Sequence, residues 1–139
     1  FIIADTAALM TTVQYVKDRI AIVDAGMQTL IRPALYEAYH QVLPVEQVGQ
    51  VSNLSYDVAG PICESSDFLA RDRELPNLKS GDLLALTHAG AYGFSMASNY
   101  NSHPLPAEVL VEGERYRVIR QRQTLDDLIK FEDGSSIRQ

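Results

Sequence analysis

The sequence predicts a mainly β fold, an antiparallel β-barrel or sandwich with a few short helices. Short runs of β-branched and aromatic residues dominate, each bounded by turn formers. Helical stretches are few, and the connections between strands read as too short for βαβ crossovers, which disfavours a parallel sheet. At 139 residues with 46% hydrophobic character, the chain fits one ordinary domain that buries about two thirds of its unfolded surface.

TTVQYVKD (11–18) and IAIVDAG (20–26) are the first predicted strands. A helix is predicted to start near Arg32-Pro33, because proline suits the first helical position and drives the residue before it out of the α region. ALYEAYHQV carries that helix to about Val42, and Pro44 closes it. Val45 to Tyr56 mixes two hydrophobic periods and is assigned to a strand. Ala59 to Glu64 reads as strand running into a loop, and the polar span to Gly81 as that loop. DLLALT (82–87) is a compact apolar strand. HAGAYGFSMASNYN, with glycines ahead of helix-permissive residues, reads as a strand-to-helix turn. AEVLVEGERYRVIRQ (107–121) is a hairpin turning at Gly113. TLDDLIKFE (124–132) is a helix capped by Thr124, with aspartates in its first turn.

The net charge of −6 argues against nucleic acid or an anionic membrane as the main partner and leaves small cations and amines as welcome ones. The single cysteine, Cys63, cannot close an internal disulfide, which points to a cytoplasmic protein. No apolar run approaches the roughly 20 residues needed to cross a bilayer as a helix, and no charged-then-apolar leader opens the chain. The first residues, FIIADTAALM, lack an initiator Met and begin with strand character, so a fragment or excised domain is expected.

That cysteine lies in GPICESSDFLARDRELP (60–76), among Glu64, Asp67, Arg71, Asp72, Arg73 and Glu74. Two readings are open. One is a solvated, salt-bridged loop beside a cysteine packed as a small hydrophobe, which composition alone favours. The other is a thiol poised as acid or nucleophile beside a carboxylate able to hold an ammonium group. A free thiol is mostly protonated at neutral pH, so proton donation suits it, and carboxylate neighbours favour acid over nucleophile.

Arg32 and Tyr36 form a second constellation at the predicted helix start. Guanidinium and phenol one turn apart would grip a carboxylate, with the helix N–H groups adding to the attraction. A surface arginine beside a half-buried tyrosine is the plainer alternative. In HAGAYGF (88–94), glycines on either side of Ala91-Tyr92 permit close backbone approach and place the tyrosine at a helix start, a suitable position for a phosphate. A tight turn with a core tyrosine explains that pattern equally well. His40, His88 and His103 share no spacing that reads as a metal site, so no metal is expected. The phosphate, dinucleotide and nucleophile-elbow motifs GxxxxGK[ST], GxGxxG and GxSxG are absent. The hairpin arginines Arg115, Arg117, Arg120 and Arg122 read as a solvated face, with Tyr116 and Val118 alternating inward.

GPICESSDFLARDRELP, GDLLAL and AGAYGFSMASNYNSHPLPAEVLV in that order, with IVDAGM and LIRPALYEAYH before them, resemble the C-terminal domain of bacterial diaminopimelate decarboxylases. The resemblance runs from about Phe1 to Leu128. It implies a pyridoxal phosphate enzyme of the alanine-racemase-like fold that removes one carboxylate from meso-diaminopimelate to give L-lysine. In that family an N-terminal (β/α)8 barrel is joined to a C-terminal, Greek-key-like β-barrel, and homodimers place the active sites at the subunit interface. Residues 1–139 resemble the β-barrel part alone. The lysine that bears the cofactor and the glycine-rich phosphate loops lie upstream in the family, and Lys17, Lys79 and Lys130 sit in no context that replaces them.

By motif position, Cys63 corresponds to the family's cysteine that reaches the partner subunit's site and is thought to give a proton to the substrate Cα once CO2 has left. Glu64 corresponds to a contact for the distal amino end of the substrate, and Arg32 and Tyr36 to contacts for its distal carboxylate. Tyr92 corresponds to a tyrosine that touches cofactor phosphate and substrate. One departure falls in DTAALMTT, where the family usually carries a glycine near Ala7. Other readings are a related ornithine- or arginine-type decarboxylase, which would not need Arg32, and a non-catalytic β-barrel dimerisation module. The chain alone is expected to be inactive and to self-associate through the face that otherwise packs on the upstream barrel.

Overall fold

The computed structural model describes residues 6–46 and 54–132. Its contacts divide the chain into two compact units, Phe1–Ala97 and Ser98–Gln139.

In the first unit, β1 (Leu9–Lys17) alternates as a half-buried strand does, with Thr11 and Val13 buried and Met10 and Gln14 facing solvent. Its pairing with β2 (Ile20–Val23) slips between Val13 and Tyr15, and this bulge turns Val16, not Tyr15, toward the core. Asp18 and Arg19 close the hairpin, both at positive φ, which matches the twist of the strands. The chain then passes through α1 (Arg32–Tyr36) into β3 (Val42–Pro44), and later through β4 (Leu54–Ala59), β5 (Phe68–Leu75) and β6 (Leu83–Leu86).

The six strands form one sheet in the order β3-β6-β1-β2-β4-β5. Edge strands β3 and β5 also touch, so the sheet curls into a nearly closed barrel. Val13, Val23, Val58, Leu69, Leu84 and Leu86 fill it, each 1% exposed or less. Tyr56 is buried with them, and its hydroxyl is satisfied by donating to Asn77 Oδ1 (3.4 Å) and accepting from Leu78 N–H (3.3 Å).

Four expectations are corrected. The helix ends at Tyr36, not Val42, where Glu37 takes the left-handed conformation (φ 54°). Val42–Pro44 is instead captured by β6, with Leu43 opposite Ala85, so strand pairing overrides helical propensity. The sheet is not wholly antiparallel, because β2 and β4 run parallel; the segment 24–53 between them is long enough for a crossover. The polar span after Glu64 is not all loop, since FLARDREL forms β5 against β4. Its charges hid the strand: Arg71 stacks on the Phe68 ring (3.7 Å) and Arg73 on Tyr39 (4.3 Å), covering apolar surface with their stems. Of the strand expected over Val45 to Tyr56, the structure places Leu54–Tyr56 in β4, and residues 47–53 lie outside the described residues.

The second unit holds a hairpin, β7 (Glu108–Glu112) with β8 (Arg115–Arg120), turning at Gly113 (φ +62°) as expected. The fourth correction is here: Tyr116 is 77% exposed and every residue of β8 is exposed, so neither face of this two-stranded sheet is buried along β8 among the described residues. Gln123 Oε1 accepts from Asn99 Nδ2 (2.6 Å) and Leu105 N–H (2.8 Å), joining the start of this unit to the segment that follows β8. Helix α2 (Leu125–Ile129) is shorter than expected but is capped by Thr124, in a reciprocal box with Asp127.

Replacing Leu84 by alanine is expected to cost about 2–5 kcal/mol of unfolding free energy, since the side chain is wholly enclosed. Denaturant titration of the two forms measures this; a loss below about 1 kcal/mol would mean the barrel can collapse onto the void.

Candidate active site

The site starts from two glycines. A Cβ on Gly60 would lie 2.3 Å from Asp67 Oδ2 and 2.5 Å from the Gly26 Cα, and a Cβ on Gly26 would lie 2.8 Å from both Asp67 carboxylate oxygens. Their bare backbones open the space that the Asp67 carboxylate fills. There Oδ1 accepts Met27 N–H (2.6 Å) and Oδ2 accepts Ile62 N–H (2.7 Å). Asp67 is 3% exposed. The solvated reading of the cysteine loop does not hold for this carboxylate.

Ile62 is buried, and the next two residues, Cys63 and Glu64, are exposed. Successive short turns hold them out: Glu64 N–H donates to Ile62 O (2.8 Å) and Asp67 N–H to Glu64 O (3.1 Å). Cys63 is therefore an exposed thiol and not a packed hydrophobe. The arginines of the run turn elsewhere, Arg71 to Phe68 and Asp57 (3.7 Å) and Arg73 to Tyr39.

On the other loop, Thr29 and Leu30 N–H groups donate to Gly26 O, and the buried Leu30 anchors the entry to α1. Arg32 follows, half-buried, with Nη1 donating to Ala91 O (3.4 Å) and its guanidinium carbon 6.0 Å from the Tyr92 ring centre. Tyr36, one turn on, is 61% exposed. Helix α1 spans only five residues, so any hold on an anion rests on the guanidinium and phenol and not on a helix dipole.

The HAGAYGF segment is a turn, with His88 and Tyr92 at positive φ, followed by a 3-10 turn at Phe94–Met96 and no longer helix. Gly93 is buried, and a Cβ there would sit 2.1 Å from Ala89 O, so this turn requires glycine. Ala89 N–H in turn donates to Ala7 O (2.9 Å). The result is a Tyr92 that is 66% exposed beside Arg32, not a core tyrosine. Among the described residues no group of His, Cys, Asp and Glu could hold a metal ion, and no helix is long and apolar enough to cross a membrane.

Residues 1–90 match the C-terminal sheet domain of the pyridoxal-dependent decarboxylases. The chain belongs to this family. It is 47% identical over 133 residues to the diaminopimelate decarboxylase of Methanothermobacter thermautotrophicus, covering 94% of this chain and 31% of that protein. It is 50% identical over 131 residues to that of Pseudomonas aeruginosa, covering 91% and 31%. The solved structure of diaminopimelate decarboxylase from Helicobacter pylori complexed with L-lysine superposes with a TM-score of 0.87 at 44% identity, over 94% of this chain and 33% of that one. Lysine decarboxylase from Selenomonas ruminantium is less similar, with a TM-score of 0.61 and 27% identity over 70% of this chain. The chain thus spans about a third of the length of the relatives it matches.

Sequence reasoning also missed that His40 is buried, at 2% exposure. Its Nδ1 lies 2.9 Å from Thr87 O, and a carbonyl can only accept, so Nδ1 carries the proton. Nε2 is buried with no hydrogen-bond partner among the described residues. Burial lowers the His40 pKa from 6.5, the Thr87 bond opposes this, and the charges of Arg32 and His88 lower it further. A neutral His40 thus spares Arg32 a second positive charge.

Because the folded pKa lies below 6.5, the unfolded chain takes up this proton first as the pH falls. Stability is expected to hold above pH 6.5 and to decline below it, and His40→Gln should flatten that decline. Melting temperatures from pH 8 to pH 5 test this; equal slopes for the two proteins would refute it.

Proposed function

We propose that the full-length protein is a cytoplasmic, homodimeric diaminopimelate decarboxylase, forming L-lysine from meso-2,6-diaminopimelate, and that this chain is its C-terminal β-barrel domain. The observation that carries the reading is the exposed Cys63-Glu64 pair and the Arg32–Tyr92 pair on a fold whose relatives at 44% to 50% identity bear that name. The (β/α)8 barrel and the lysine that bears the cofactor would belong to the two thirds of the relatives' length that this chain does not span.

The residues present fit a share of a pyridoxal phosphate site. Tyr92 offers a phenolic O–H from a turn built around Gly93, suited to the phosphate ester, with the Arg32 cation beside it. Lys17, Lys79 and Lys130 lie at a strand end, in a turn and at a helix end, so the covalent anchor is sought upstream. When bound, the cofactor accepts the electron pair released as CO2 leaves.

This chain's own residues read the substrate and return a proton. Arg32 and Tyr36 hold the distal carboxylate, the guanidinium supplying paired N–H donors and the phenol a further one. Glu64 accepts from the distal ammonium group. A distal centre bearing both charges is thereby separated from substrates that carry an amine alone, because Arg32 would be left facing no anion. Cys63, presented from Ile62 toward a partner subunit, would supply its S–H proton at the substrate Cα, and solvent would restore the thiol.

In the full-length protein, Cys63→Ala is expected to lower kcat by about 100-fold or more, the usual worth of a positioned general acid. Arg32→Ala should raise KM for meso-diaminopimelate by about tenfold to 100-fold, the loss of a charge-assisted contact. Steady-state CO2 release measures both. Turnover untouched by Cys63→Ala would overturn the assignment, and faster turnover of ornithine or lysine than of diaminopimelate would favour a decarboxylase of another basic amino acid.

A further inference from the structure

The buried Asp67 carboxylate stands at the junction of the two loops that carry the candidate site. One oxygen holds the amide of Ile62, the residue immediately before Cys63; the other holds the amide of Met27, at the head of the turn that runs through Leu30 to Arg32. The same residue is built into its own loop through both backbone groups, Asp67 N–H donating to Glu64 O and Gly60 N–H donating to Asp67 O (3.0 Å). Gly26 and Gly60 are the walls of its seat.

We infer that Asp67 is a positioning residue for decarboxylation, fixing the proton donor Cys63 and the carboxylate-binding Arg32 with one buried anion; this rests on the function proposed above. Other side chains fit the seat poorly. Glutamate would need room that the backbones at Gly26 and Gly60 occupy. Asparagine keeps the shape but turns an N–H2 group toward one of two backbone N–H groups, exchanging a charge-assisted bond for a donor–donor contact and an unsatisfied buried amide. The loop that loses its bond then drifts, and a displacement of about 1 Å at a reacting group can cost about 100-fold in rate.

The two loops do different work, so the role leaves a kinetic signature that loss of fold does not. Loosening the Ile62 side acts on proton return and lowers kcat. Loosening the Met27 side acts on the distal carboxylate and raises KM. Because Asp67 reaches the proton-transfer step only through Cys63, its removal should cost little further kcat once the thiol is gone.

The test uses the full-length protein with Asp67→Asn, Gly26→Ala, Cys63→Ala, Arg32→Ala and the Asp67→Asn/Cys63→Ala double variant. Gly26→Ala keeps the charge and displaces it, since its methyl would lie 2.8 Å from both carboxylate oxygens as well as 2.7 Å from Gln28 Oε1, and it carries the test if Asp67→Asn does not fold. Expected in Asp67→Asn and in Gly26→Ala is a change of about tenfold or more in kcat, in KM or in both, according to which loop is loosened, and less than about twofold further kcat loss in the double variant than in Cys63→Ala. Hydrogen exchange should quicken in segments 26–32 and 61–67 and be unchanged in the β1–β6 ladder. Values of kcat and KM within about twofold of the parent, or losses that multiply in the double variant, would overturn the inference. If Cys63→Ala and Arg32→Ala are crippled while Asp67→Asn and Gly26→Ala are not, the inference alone falls. If Cys63→Ala and Arg32→Ala both keep full turnover, the proposed function falls and takes the inference with it.

Discussion

The first unit depends on a carboxylate buried where two glycines leave room for it. Asp67 is removed from water and meets two backbone N–H groups at 2.6 and 2.7 Å, so the dipoles of two loops converge on its carboxylate. Desolvating a carboxylate is costly unless such donors are in place, and once they are, moving either loop exposes the penalty again. The arrangement is stiff for that reason. It also requires Gly26 and Gly60 together, because a side chain on either would occupy the seat.

From that anchor the same construction recurs. A buried residue sits close to each candidate site residue: Ile62 before the exposed Cys63 and Glu64, Leu30 shortly before the half-buried Arg32, and Gly93 directly after the exposed Tyr92. The inward residue fixes the backbone and the outward one is left with few ways to point. Chemistry on such a loop is positioned by the barrel and not by contacts among the functional groups themselves. His40 extends the pattern on the far side of α1, where its bond to Thr87 ties the helix exit to the end of β6.

Much of this was legible in the sequence. The β1–β2 and β7–β8 hairpins, the apolar strand around Leu84 and the Thr124 cap are local patterns, and alternation, turn residues and capping chemistry describe them without knowledge of the rest. The cysteine loop, the Arg32 turn and the Tyr92 turn were likewise visible as motifs, because a lone cysteine, an Arg-Pro pair and closely spaced glycines are each unusual in their local setting. Strand β5 was hidden by its charges, and the parallel β2–β4 pair by its long connection.

What the sequence by itself determined is the set of local tendencies and the identity of the groups on display: a thiol, a carboxylate, a guanidinium and phenols at particular turns. Only the tertiary structure decided that the α1 helix stops at Tyr36, that Val42–Pro44 joins β6, and that Asp67 belongs inside and not with the charges beside it. The reason is physical. Helix and turn preferences are set by neighbours a few residues away and are worth fractions of a kcal/mol each, whereas the burial of Asp67 depends on Met27, 40 positions distant, and on the absence of two Cβ atoms that no local pattern announces.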